Sequence, residues 1–115
     1  NINGKEYVPI TSQTIETIFG RYKKGFLGYK NEVPEELEEI EICSNGKILP
    51  DNDMSGWKYY DKNIIMTYHP YEAMPEYDVP AGVEEQAKYA FIAKDGSSLI
   101  LSNIDGSVRE IFIKF

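Results

Sequence analysis

Lys88-Tyr-Ala-Phe-Ile-Ala-Lys94, Asp95-Gly96, Ser97-Ser-Leu-Ile-Leu-Ser102, Asn103-Ile-Asp105-Gly106 and Ser107-Val-Arg-Glu-Ile-Phe-Ile-Lys-Phe115 follow one another directly at the end of the chain. Two Asp-Gly pairs divide three apolar runs. Glycine takes the positive φ that a tight hairpin turn needs, and aspartate tolerates it better than most residues. Each run is short and rich in Val, Ile, Phe or Tyr, side chains that suit a pleated, half-buried surface. The stretch predicts a three-stranded antiparallel meander.

Strand signals continue upstream. Glu39-Ile40-Glu41-Ile42 alternates strictly and ends at the turn formers Ser44-Asn45-Gly46, after which Lys47 to Pro50 reads as a short return strand. Trp57 to Tyr60 and Ile64 to Tyr68 flank the turn Asp61-Lys62-Asn63. Glu6 to Ile10 suits a short strand that Pro9 confines to an edge. Ile15, Ile18, Phe19 and Tyr22 stand at i, i+3, i+4 and i+7, one face of a helix. Thr11 or Ser12 would cap that helix and Gly25 would end it, so the spacing predicts a helix over Thr11–Lys24. Pro34 followed by Glu35 and Glu36 suits a first helical turn. Residues 69–82 carry Pro70, Pro75 and Pro80 and read as a long loop or one short helical turn. Ala81 to Ala87 reads as a helical turn leading into the meander. The expected fold class is α+β: one domain over residues 1–115, a mainly antiparallel sheet with one or two helices packed on one face. Leu99, Leu101, Ile111 and Ile113 are expected to face that helix and be buried.

Composition narrows the function classes. At 115 residues, 42% of them hydrophobic, the chain can build a real core and is not a disordered one. A formal net charge of −7 sets it against nucleic acid and anionic membrane and admits a basic protein partner. Cys43 is the only cysteine, which excludes an internal disulfide and fits a reducing compartment. No stretch approaches the roughly 20 apolar residues of a membrane span. No basic-then-apolar leader is visible, so the expected location is the cytoplasm.

Motifs for chemistry are few. Asp51-x-Asp53-x-Ser55-Gly56 matches the start of a calcium loop, but the position that needs a bidentate acid holds Lys62. Turn formers between two strands explain it better. One histidine, His69, and one cysteine assemble no metal cage, and no cofactor is expected. His69 has no nucleophile elbow near it and reads as a structural or surface residue. Gly20, Gly25 and Gly28 form no phosphate-cradling loop. No catalytic residues are assigned, and the protein is not expected to be an enzyme. The acidic run Glu32, Glu35, Glu36, Glu38, Glu39 and Glu41 reads as a solvated face or as a docking surface for a basic partner. The candidate site residues are Glu35, Glu36 and Glu39 of this run, with Asp51 and Asp53 of the Asp51–Trp57 loop, as steering carboxylates. Trp57 is the candidate anchor, with a place in the core as its competing assignment.

The stretch Ala87 to Ile111 resembles the SUKH superfamily, small α+β proteins many of which are bacterial immunity proteins against polymorphic toxins. The resembling features are a strand, the turn at Asp95-Gly96, a second strand, and the Asp105-Gly106 turn leading to a strand at Val108. The aromatic, proline-bearing segment Tyr68 to Pro80 is also similar. The family's Gly-rich turn stands here as Asp95-Gly96, and its Leu-Pro before Asn-Gly stands in reverse order, as Asn45-Gly46 before Leu49-Pro50. The resemblance implies a non-enzymatic cytoplasmic protein that binds and blocks a toxin domain. Two other classes stay open. One is an acidic nucleic-acid mimic that inhibits a DNA-binding protein. The other is a small-ligand-binding domain whose polar groups converge in an apolar pocket only on folding.

Overall fold

The computed structural model describes residues 4–27, 35–49 and 56–115, and for His69 and Pro70 the backbone alone. Among the described residues nine strands form: β1 (Tyr7–Pro9), β2 (Gly20–Phe26), β3 (Glu38–Ile42), β4 (Ile48–Leu49), β5 (Gly56–Asp61), β6 (Ile64–Tyr71), β7 (Gly82–Ala93), β8 (Ser98–Asn103) and β9 (Arg109–Lys114). All pairings are antiparallel, in the order β4-β3-β2-β9-β8-β7-β6-β5, with β1 taking up the edge of β7 where β6 stops. Chain neighbours are therefore sheet neighbours, and β9 returns to pair with β2. The two ends of the path also meet. Lys47, just before β4, bridges Gly56 at the start of β5, and the Trp57 N–H donates to the Gly46 carbonyl at 2.8 Å. The result is a nearly closed, eight-stranded up-and-down barrel, a shape that leaves few unpaired edges. The seam is tight: a Cβ on Gly56 would lie 2.5 Å from the Gly46 carbonyl oxygen.

This corrects the α+β expectation. Among the described residues there is no α-helix, and the helical content is two short 3-10 turns, Ile15–Ile18 and Pro75–Tyr77. The predicted Thr11–Lys24 helix is split between a 3-10 turn and β2. Gly20, at φ +139°, stands at the break, in a conformation no helix can hold. Ile15, Ile18, Phe19 and Tyr22 still meet one core, but from two elements. Ala81 to Ala87 belongs to β7, apart from Ala81 itself, and not to a helical turn. Glu35 to Leu37 is irregular, and β3 begins at Glu38; Pro34 lies outside the described residues.

The meander forms with the expected turns, Gly96 and Gly106 at φ +77° and +76°. Its burial differs from expectation in one strand. Leu99 and Leu101 face the core, but in β9 it is Phe112 that joins them. Ile111 is buried on the opposite face of the sheet, and Ile113 only in part. The register explains it: Phe112 pairs with Leu99, and Ile111 with Ile100.

The barrel interior is apolar at one end. Ile10 and Ile18 plug it, with Ile15 and Phe19 packed against the same cluster. The Ile10 N–H donates to the Ala90 carbonyl at 3.1 Å, and the buried Tyr22 hydroxyl donates to the Ile18 carbonyl at 2.8 Å. Burial pushes the Tyr22 phenol up to about 12, so it stays a neutral donor. Each fully buried aliphatic side chain of this plug contributes about 1.5–3 kcal/mol. At the side of the barrel β6 and β7 run on past their neighbours. The last β5 partner of β6 is at Tyr68, and the β8 pairing of β7 begins at Lys88. Residues 69–71 and 82–84 thus make a two-stranded arm with the Pro75–Tyr77 turn at its tip. Among the described residues no helix is long and apolar enough to cross a membrane.

Candidate functional site in the barrel interior

Strand alternation sends every second side chain inward. On β2 this puts Lys24 on the same face as Tyr22. On β7 it puts Lys88 in line with Ala90 and Ile92, and on β9 it puts Glu110 in line with Phe112. The three charges meet. Lys88 Nζ lies 2.8 Å from Glu110 Oε1, and Lys24 Nζ 2.9 Å from Glu110 Oε2. The side chains of Lys88 and Glu110 are 9% and 10% exposed, that of Lys24 26%. Burial alone would raise the Glu110 carboxyl. The hydrogen bonds and charges of Lys88 and Lys24 outweigh it and hold the group below its ordinary value, so it stays ionised.

A cavity of about 500 Å³ opens beside the cluster. Ile40, Ile48, Leu101 and Phe112 supply its apolar wall, Thr67 a hydroxyl, and the exposed Glu38 and Glu39 its rim. The Thr67 hydroxyl donates to the Gln86 carbonyl at 3.3 Å. The volume lies within the ~300–1,000 Å³ of small-molecule sites, and polar groups converging on an apolar wall are what such sites show. An eight-stranded barrel is wide enough either to fill with side chains or to hold one small ligand. Here the plugged end is filled and the Lys24–Glu110–Lys88 end is not.

The residues expected from sequence to form a site do not come together. Glu35, Glu36 and Glu39 are exposed, and of these Glu39 reaches the cavity rim. Of the two assignments open for Trp57, the structure has the core one: it is 8% exposed, its ring centroid lies 5.5 Å from that of Phe19, and its indole N–H points at the Cys43 carbonyl at 3.4 Å. Asp51 and Asp53, and with them the calcium-like loop, lie outside the described residues. Among the described residues no three His, Cys, Asp or Glu side chains gather as a metal site. The Cys43 thiol is pushed up by burial and by Glu41 beside it, and so is no ready nucleophile. Lys24, Lys88 and Glu110 were missed. Their one sequence signal is a charge at a core-facing position of an alternating strand, as in Lys88-x-Ala90-x-Ile92.

Compared with protein-family models, with curated proteins and with solved structures, the chain finds no match.

Proposed function

We propose that the protein binds one small, partly apolar molecule inside the barrel and does not transform it. The observation that carries this reading is the cavity beside Lys24, Lys88 and Glu110. A barrel built only for stability would have little use for buried charge, because an apolar replacement of a buried ion pair is often as stable or more so. The cluster is well made, yet it adjoins space that its side chains leave open. Cys43, the chain's lone cysteine, fits action in a reducing compartment, and the cytoplasm is the location that goes with this reading.

Titration with N-phenyl-1-naphthylamine, a neutral apolar fluorophore, is expected to show saturable one-to-one binding with enhanced emission. Leu101→Trp fills the cavity from its wall and should abolish binding while the far-ultraviolet circular dichroism stays that of a β-protein. Non-saturable binding, or full binding in the Trp variant, would remove the interior as a ligand site.

The projecting arm favours a second reading, in which the protein also docks on a basic protein, a toxin domain being one such partner. No Lys or Arg occurs between Lys62 and Lys88. Over the same span Glu72, Glu76, Asp78, Glu84 and Glu85 are exposed around the exposed side chains of Tyr71, Met74, Tyr77 and Val83. Aromatic and Met side chains are enriched at interfaces, and rim carboxylates steer a basic partner. Glu35, Glu36 and Glu39 would add to that steering from the barrel wall. A pull-down at low salt with wild type and with Glu84→Lys/Glu85→Lys/Tyr77→Ala should show a basic protein retained by the first and lost by the second. Equal capture by both would take the arm out of any interface.

A further inference from the structure

We infer that the molecule taken into the barrel is a monoanionic amphiphile: a single carboxylate-like head held by Lys24 and Lys88, and an apolar body against Ile40, Ile48, Leu101 and Phe112. This rests on the interior being a ligand site.

The argument starts from donors. An ammonium group carries three N–H donors. Glu110 offers one oxygen to Lys88 and the other to Lys24. Two lysines therefore share one carboxylate, and their N–H donors outnumber its bonds. Because one Nζ lies 2.8 Å from Oε1 and the other 2.9 Å from Oε2 of the same carboxylate, the two ammoniums are spaced so that a single carboxylate bridges them. A second carboxylate can be bracketed by the same pair.

Charge then sets the valence. Two ammoniums and Glu110 sum to one positive charge inside the barrel. Lys24 is 26% exposed, so water screens part of this charge, but a bound anion on the Lys24–Lys88 side replaces that water and brings the three-residue cluster to neutrality. A dianion would overshoot, with Glu110 beside it and Glu38 and Glu39 at the rim opposing its entry. That sets the site against phosphate esters and nucleotides. A cationic head would meet the two lysines. The apolar wall calls for more than a bare anion, since acetate would leave Leu101 and Phe112 uncovered.

The test is displacement of bound N-phenyl-1-naphthylamine at pH 7.5 by decanoate, decanol, decylammonium and decyl phosphate, each below its micellar concentration. Decanoate is expected to displace at least about 10-fold more tightly than decanol, as a charge-assisted hydrogen bond requires. Decylammonium should be the weakest. Lys24→Gln removes the more exposed lysine and leaves the Lys88–Glu110 pair in place, so the fold should survive. In that variant the advantage of decanoate over decanol should shrink to about 3-fold or less. Equal displacement by decanoate and decanol, or an undiminished advantage in Lys24→Gln, would overturn the anionic head while leaving an apolar ligand site standing. Tighter displacement by decyl phosphate than by decanoate would overturn the single charge. Failure of the fluorophore itself to bind would overturn the interior site and this inference together.

Discussion

Replacing Glu110 with alanine is expected to destabilise the protein by about 3–5 kcal/mol, the range found when one partner of a buried ion pair is removed. The loss falls mainly on Lys88, whose side chain is 9% exposed and is left without the carboxylate 2.8 Å away. Lys24, 26% exposed, can turn toward water. The double replacement Lys88→Met/Glu110→Leu should recover much of the loss, since apolar side chains of similar size take the place of both charges. Urea unfolding midpoints at pH 7 measure both effects. A loss below about 1 kcal/mol in Glu110→Ala would mean that the cluster is hydrated and its charges are worth little.

The same carboxylate contributes a pH dependence. Its folded value is depressed, so its contribution is fully present above the unfolded value of about 4.3 and is lost as pH falls through the lower folded value. Stability of the wild type should fall as pH drops below about 4.3. Asp95 and Asp105 are also depressed, by hydrogen bonds from Lys5 and Ser97 and from Ser107 respectively, and add to the fall. The double replacement keeps those two groups and lacks Glu110. Its profile should therefore be flatter than the wild type's by the Glu110 part. Parallel profiles would contradict the coupling of Glu110 to the two lysines.

Trp57→Ala is the other large expected effect, about 3–5 kcal/mol, as for other buried large-to-small aromatic changes. Trp57 sits where the barrel closes. Its ring packs on Phe19, its indole N–H points at the Cys43 carbonyl, and its backbone N–H bonds the Gly46 carbonyl. Its loss removes side-chain support from a seam that, among the described residues, rests on the Lys47–Gly56 bridge and that backbone bond. Amide exchange should quicken first at Trp57, whose N–H makes the seam bond, before the β7–β8–β9 meander is affected. A stability loss under about 1 kcal/mol would return Trp57 to the surface as a candidate anchor for a partner.

Local chemistry was legible from residues alone. Asp95-Gly96, Asp105-Gly106 and Ser44-Asn45-Gly46 make their turns because glycine takes the φ that the turn requires, whatever the rest of the chain does. The strands beside those turns follow from their Val, Ile and aromatic content. The i, i+3, i+4, i+7 spacing of Ile15, Ile18, Phe19 and Tyr22 misled, because a plug and a strand can share one core as well as a helix face can. Val83-Glu84-Glu85-Gln86 carries no strand alternation, because Val83 and Glu84 lie in the arm that leaves the body of the sheet and Val83, Glu84 and Glu85 are all exposed. Return of β9 to β2, the meeting of Lys47 with Gly56, and the joining of Lys24, Lys88 and Glu110 were decided only in three dimensions. A turn depends on neighbours in the chain, whereas the partner of a buried charge depends on which strands the closing sheet brings face to face.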